Sequence, residues 1–369
     1  MTARTGKLEG VEASRGAAAI LVVCVHVTSM LTGQYGKPVF GGLMSFGHAG
    51  VDFFFVLSGF IITFIHRRDL GRPGQFWQFW RKRLWRIYPV YWFAAAGFMA
   101  LLLYSPTRDG AERHPAHLIA SFLLWPEEAA PILGVGWSLR HELLFYAVFG
   151  TLILHRRLGL ALLLAWAAGI ALNIATVLAT GSPYFHGIWQ EIVFRLFNAE
   201  FFFGMGVAVL VQRSAWRPLA VFGAGVALFL GTGLLESFGP ALPSEWPVRH
   251  LSYAAGAAAA LYGTACLDQG RGWAVPRWAV ALGSASYSIY LVHVPVALVL
   301  AEAARRVRGT VAVPEELAFV LVAGGAIAGG LIVHRLVERP VMRYARSGSN
   351  RPVPRSPTGV VPAQTELGE

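Results

Sequence analysis

A chain of 369 residues with 55% hydrophobic and only 14% charged residues is too apolar for a water-soluble fold, in which about a quarter of residues are charged. A mean hydropathy of +0.53 agrees, and long apolar runs recur from end to end, which excludes a set of soluble domains. The net charge of +11 does not indicate nucleic-acid binding, because the basic residues are spread as a membrane topology spreads them.

The apolar runs predict about ten spanning helices, near 11–31, 47–66, 86–104, 135–154, 158–179, 190–211, 218–235, 251–267, 283–303 and 316–335. The expected class is an all-α polytopic transmembrane helical bundle. Its membrane domain covers 8–340, and a cytoplasmic tail over 341–369, rich in Pro, Ser and Gly toward its end, is expected to be disordered. With the N-terminus inside, most Lys and Arg outside the spans fall on the cytoplasmic side. Only Lys37, Arg108, Arg113, Arg249, Arg305, Arg306 and Arg308 fall on the other. Arg4 and Lys7 precede the first run but no clear cleavage site follows, so that run is read as a retained span. The stretch near 118–124 is too short to cross and is expected to be re-entrant or interfacial. No internal repeat is visible.

The first span carries Arg15 and His26. Ionisable groups in hydrocarbon are costly and usually face a protein interior. Eleven residues at 100° each return the helix to within about 20° of its starting face, so the two share a stripe about 16 Å apart. Asp52 opens the second span beside a Phe run, either as a functional carboxylate or as a cap or structural ion pair. Ser58 and Gly59 lie mid-span, where small residues permit close helix approach.

Residues 71–86 mix Arg81, Lys82, Arg83 and Arg86 with Phe76, Trp77, Phe79, Trp80 and Trp85, the pattern of a helix lying on the membrane surface. Arg83, Arg86 and Pro89 then lead into the third span. Arginine forks suit phosphate oxygens, and a positive-inside anchor reads the same way. Trp137, Ser138, His141 and Glu142 open the fourth span. Asp52, Glu142 and His26 are expected at similar depth, where a carboxylate on one imidazole nitrogen raises the basicity of the other. A buried structural pair is the alternative. In the sixth span Glu191, Arg195 and Asn198 form a polar stripe, with Glu191 and Arg195 able to pair at i,i+4. In the ninth, Ser286, Tyr290 and His293 at i, i+4 and i+7 line a cavity or a helix contact. Cys24 and Cys266 both lie in spans, without disulfide or zinc spacing. No run of His, Cys, Asp or Glu has metal-ligand spacing, and no metal is expected.

Arg15 and His26 match the R-x10-H motif of the acyltransferase 3 family of integral-membrane acyltransferases. The run from Gly50 to Phe60 is similar to its VDxFFVLSGF signature, and Arg83–Pro89 resembles its RxxR element. Trp137-Ser138-Leu139-x-x-Glu142 and Ser286-Tyr287-Ser288-Ile289-Tyr290-Leu-x-His293 resemble two further motifs, all in order across the membrane core. The resemblance implies transfer of an acyl group, usually acetyl, from cytosolic acyl-CoA to a hydroxyl. Acceptors in the family include O-antigen, exopolysaccharide, peptidoglycan-related glycans and macrolides. Some members carry a fused SGNH-type domain, which this sequence lacks.

On this reading His26 is the general base, with Glu142 or Asp52 orienting it. Arg15, Arg83, Arg86, Tyr287 and Ser288 bind acyl-CoA. Ser58, Trp137, Ser138, Glu191, Arg195, Asn198, Ser286, Tyr290 and His293 line the cavity or meet the acceptor. Acetyl-CoA is the expected donor substrate, and no permanently bound cofactor is implied. The expected partners are a carbohydrate or glycosylated acceptor, the bilayer of a bacterial-type cytoplasmic membrane with both termini inside, and glycan-assembly or export machinery. A transporter or flippase is one rival reading, which saturable CoA binding separates from the enzyme, and a non-catalytic scaffold of a glycan-export complex is another, which transferase activity of the purified single chain excludes.

Overall fold

The computed structural model describes residues 8–103, 114–213, 215–239, 246–270 and 273–347, and its described residues contain helices and no strands. The long helices are α1 (Glu9–Tyr35), α2 (Ala49–His66), α3 (Phe76–Leu103), α5 (Trp137–Leu154), α6 (Arg156–Thr180), α7 (Asn198–Arg213), α8 (Pro218–Phe238), α9 (Pro247–Gly270), α10 (Arg277–Arg308) and α11 (Glu315–Val333). Two short helices, α4 (Pro115–Leu123) and α12 (Arg339–Ser347), complete the set. Each of the ten expected spans coincides with a helix, and seven are long and apolar enough to cross a membrane by length and composition. Those near 86–104, 135–154 and 251–267 are helical as α3, α5 and α9, but they fall outside those seven, so the count of ten is not established.

The share of each apolar segment buried in protein sorts the bundle. In α10 it is 67%, in α6 22% and in α8 11%, so α10 is central and α6 and α8 present most of their surface outward. Close backbone approach sets the centre. A Cβ on Gly283 of α10 would overlap the Glu12 carbonyl of α1, and one on Gly16 would come 2.9 Å from the Gly283 nitrogen. Likewise a Cβ on Gly59 of α2 would overlap the Phe201 carbonyl of α7, the small-residue contact expected at Ser58-Gly59. These contacts bring Arg15 beside the Ser286 turn of α10 and Ser58 toward the interior.

Three expectations change. The surface helix over 71–86 is not a separate element: from Phe76 it runs without a break into the third span, with Pro89 inside the helix. Its Phe79 is buried and Trp77 exposed, so one face packs while the other keeps its interfacial character. The sixth span is interrupted. A π-helical turn over Trp189–Val193 precedes α7, and Asn198 Nδ2 donates to the carbonyls of Ile192 (2.8 Å) and Val193 (3.0 Å), which the break leaves open. Finally, the tail expected to be disordered from 341 begins as helix to Ser347, and 348–369 lie outside the described residues. Helix α4 is too short to span. Its last carbonyls accept from α3, at Ser121 from Tyr91 (2.6 Å), Phe122 from Trp92 (2.9 Å) and Leu123 from Tyr88 (2.7 Å).

Candidate functional site

A cavity of about 120 Å³ opens between α1, α2, α3, α5 and α10. Arg15, Arg83 and Arg86 line it, with Glu142 and the hydroxyls of Ser58, Ser138, Tyr146, Ser286, Tyr287 and Tyr290. Each arginine is held differently. Arg15 Nη1 lies 4.0 Å from Glu12 Oε2, and its buried Nε has no hydrogen-bond partner among the described residues. Arg83 Nη2 donates to His66 Nε2 at 2.8 Å, while His66 Nδ1 donates to Asp69 Oδ2 at 2.8 Å, which fixes the tautomer. Its guanidinium also stands 5.7 Å from the Phe79 and Tyr146 ring centres.

Arg86 pairs with the buried carboxylate of Glu338 and lies 4.9 Å from the Tyr287 ring centre. Glu338 closes a second π-helical turn (His334–Glu338) and accepts from Ser288 Oγ (2.7 Å) and His334 Nδ1 (2.8 Å). Ser288, expected at the acyl-CoA site, therefore turns away from the cavity and supports Arg86 through Glu338. Tyr287 stays on the cavity, with its hydroxyl donated to the Ile87 carbonyl at 2.7 Å. Among the lining residues three guanidiniums meet one carboxylate, Glu142, while Glu12 and Glu338 stand outside the lining as partners of Arg15 and Arg86, so the cavity wall itself presents mainly guanidinium donors suited to phosphate.

At the cavity's other end the Tyr290 hydroxyl donates to the Val135 carbonyl (3.0 Å) and sits 2.7 Å from Ser138 Oγ. The Tyr290 ring is 6.0 Å from that of His293, and His293 is 4.9 Å from His26. His26 and His293 are not among the lining residues, yet Ser286, Tyr290 and His293 climb one face of α10 as expected, with Ser286 and Tyr290 on the cavity. The expected carboxylate on His26 is a correction. Glu142 accepts from Ser58 Oγ (2.9 Å) and Tyr146, and Asp52 accepts from His250 Nδ1 (2.9 Å). His26 Nδ1 instead meets the Val22 carbonyl at 2.8 Å and His293 Nε2 at 3.3 Å, while His293 Nδ1 meets the Tyr290 carbonyl at 2.7 Å. The carbonyls require Nδ1–H on both rings, which leaves His26 Nε2 as a lone-pair nitrogen able to take a proton. A backbone carbonyl one turn back is always within reach on a helix, and it fills the place assigned to Glu142 or Asp52.

Other expected site residues lie apart. Trp137 packs against Phe55 and Phe197 at ring-centre distances of 6.1 and 5.0 Å and forms wall, not lining. Glu191 and Arg195 do pair, partly exposed, but Asn198 turns inward beyond the break and meets His141 Nδ1 at 3.0 Å, so the three do not form one stripe. Cys24 and Cys266 are free thiols.

Asp52 belongs to a second cluster. Ligand atoms of Asp52, Glu200 and His250 lie within 4.8 Å of one another, and all three residues are buried. Spacing along the chain could not reveal this group, because its members come from the first turns of three separate helices, α2, α7 and α9. Each helix N-terminus stabilises an anion by roughly 0.3–1 kcal/mol, whereas a buried ion costs several kcal/mol. The helix ends alone do not offset two carboxylates. Glu338, Tyr146 and His66 were missed as well. Tyr146 stands one helical turn beyond Glu142, and Glu338 is a carboxylate ending the last apolar run, so both carried a weak signal.

The family model described as an acyltransferase domain matches residues 8–335. The chain is 30% identical to the exopolysaccharide production protein ExoZ of Rhizobium meliloti, over 83% of this chain and 93% of that protein. It is 28% identical to the acyltransferase MdmB of Streptomyces mycarofaciens, over 97% of both. No solved structure matches it. An arginine-lined cavity below a paired imidazole, in a helical membrane bundle matched by that model over nearly its whole core, places the chain in the acyltransferase 3 family as a multi-pass membrane acyltransferase.

Proposed function

We propose that this enzyme moves an acyl group, acetyl in the first place, from cytosolic acyl-CoA to a hydroxyl of a carbohydrate or glycosylated small molecule, with a cell-surface polysaccharide as the favoured acceptor. The observation that carries the reading is the pairing of three cavity arginines with an imidazole about three turns up the same helix as Arg15. Arg15, Arg83 and Arg86 take the donor's phosphates by charge-assisted hydrogen bonds. The donor's thioester end reaches past Tyr290 toward His26. His26 Nε2 removes the proton from the acceptor hydroxyl as its oxygen attacks the thioester carbon. The tetrahedral intermediate collapses, the C–S bond breaks, and the thiolate leaves with the proton that His26 carried. The acceptor keeps the acyl group, and no enzyme-bound ester forms. The name of ExoZ supports a polysaccharide acceptor.

The enzyme works in a cytoplasmic membrane with both termini inside, so the arginine end faces the acyl-CoA pool. Export or assembly machinery then handles the product. Mass spectrometry of surface glycans and secreted small molecules from cells with and without the gene tests the reading. Loss of one acetyl mass from a defined product supports it and names the acceptor. An unchanged profile, together with purified protein that binds no CoA, rejects it.

A further inference from the structure

The proposed chemistry leaves one cluster of buried ligating groups unused. Asp52 Oδ1 lies 2.9 Å and Glu200 Oε1 3.9 Å from His250 Nδ1. All three side chains are more than nine-tenths buried. No nitrogen or hydroxyl donor reaches Oδ2 of Asp52 or either oxygen of Glu200 within hydrogen-bonding distance among the described residues, and the two carboxyl groups lie close enough to share a hydrogen bond with each other. The adjoining carboxylate is different. Glu236 accepts from His48 Nε2 (2.7 Å), Arg249 Nη1 (3.0 Å) and Tyr253 (2.6 Å), so the nearby cation is already engaged by Glu236. Arg249 Nη2 also lies 3.3 Å from His250 Nε2.

We propose that Asp52, Glu200 and His250 hold one divalent transition-metal ion, with zinc as the best fit. Two carboxylate oxygens and one imidazole nitrogen form a donor set that zinc accepts, and ligand atoms within 4.8 Å of one another can close on a common centre with metal–ligand bonds of about 2.0–2.2 Å. The ion supplies the two positive charges that the carboxylates lack. Loading moves the imidazole proton from Nδ1 to Nε2, and Arg249 turns from that nitrogen onto Glu236. The ion then ties the first turns of α2, α7 and α9 together behind Phe54 and Phe55, which line the cavity. It is a structural clamp, separate from acyl transfer.

The test uses tag-free, full-length protein in detergent, loaded with zinc sulfate, washed, and assayed by elemental analysis and thermal melting. About one zinc per chain is expected in the wild type, with a melting temperature that a chelator lowers and zinc restores. Glu200→Gln should hold below about a tenth of that zinc and melt independently of chelator. Wild type that holds no zinc and melts independently of chelator overturns the proposal, and leaves a proton shared by Asp52 and Glu200 as the neutralising charge. Zinc retained at full level by Glu200→Gln overturns it too. If that variant does not accumulate, cobalt-loaded wild type decides: visible bands of a low-symmetry cobalt site support the cluster, and a spectrum of hydrated cobalt rejects it.

Discussion

The arginine cavity and the Asp52–Glu200–His250 cluster are both pockets of ionisable groups inside one helical bundle, and they differ in which atoms are left without a hydrogen-bond partner. In the cavity, the Nε atoms of Arg15 and Arg83 lack hydrogen-bond partners among the described residues. In the cluster, it is oxygens of Asp52 and Glu200 that meet no nitrogen or hydroxyl donor among the described residues. Both arrangements are costly in a low-dielectric interior unless something of opposite charge arrives. The proposed donor phosphates would answer the first and the proposed zinc ion the second. The cavity leads, through Tyr290 and His293, to His26. Asp52 thus stands apart from the cavity, and the ring of His26, the proposed base, is held by the Val22 carbonyl.

The largest effect that separates the two regions is expected at His26. His26→Ala should lower acyl transfer by about 10²–10⁴-fold while the protein still inserts and accumulates, as read by product formation per milligram of purified enzyme. Turnover at the wild-type level would remove the base from the cavity's side of the comparison. Next comes Glu338→Ala, which strips the buried partner from Arg86 and leaves Ser288 and His334 without their acceptor. A loss of about 3 kcal/mol in stability is expected, read as a lower melting temperature, because a buried charge loses its counter-ion. Glu338→Gln should recover part of it by keeping the hydrogen bonds.

The smallest effect is the sharpest contrast. Arg15→Ala should raise the KM for acyl-CoA about tenfold with kcat nearly unchanged, the sign of lost uniform binding. Asp52→Asn should leave that KM within about twofold, because Asp52 faces His250 and not the cavity. Equal KM shifts in both variants would erase the distinction between the two regions.

Helical periodicity made part of this site readable from the residues. Arg15, Ser58, Ser138, Glu142, Ser286 and Tyr290 do converge on one cavity, because spacing on a helix dictates a shared face. What periodicity does not contain is which neighbour a face meets. Asp52 and Glu142 were both plausible partners for His26 by depth, yet the one meets His250 and the other Ser58 and Tyr146. The turn at Trp189–Val193 was unreadable for a related reason. Its apolar pattern continues, and the break shows only in Asn198 bonding to the carbonyls that the turn exposes. Glu200 and Glu338 each look like an ordinary helix-end carboxylate until tertiary packing seals them.

The central claim is that one donor molecule spans from the arginines to His26. An electron cryomicroscopy map of the enzyme with a non-hydrolysable acyl-CoA analogue measures it directly. The account predicts phosphate density within hydrogen-bonding reach of Arg15, Arg83 or Arg86, and the donor's sulfur end beside His26 Nε2. Density for that sulfur end on another face of the bundle, away from the His26–His293 pair, would contradict it.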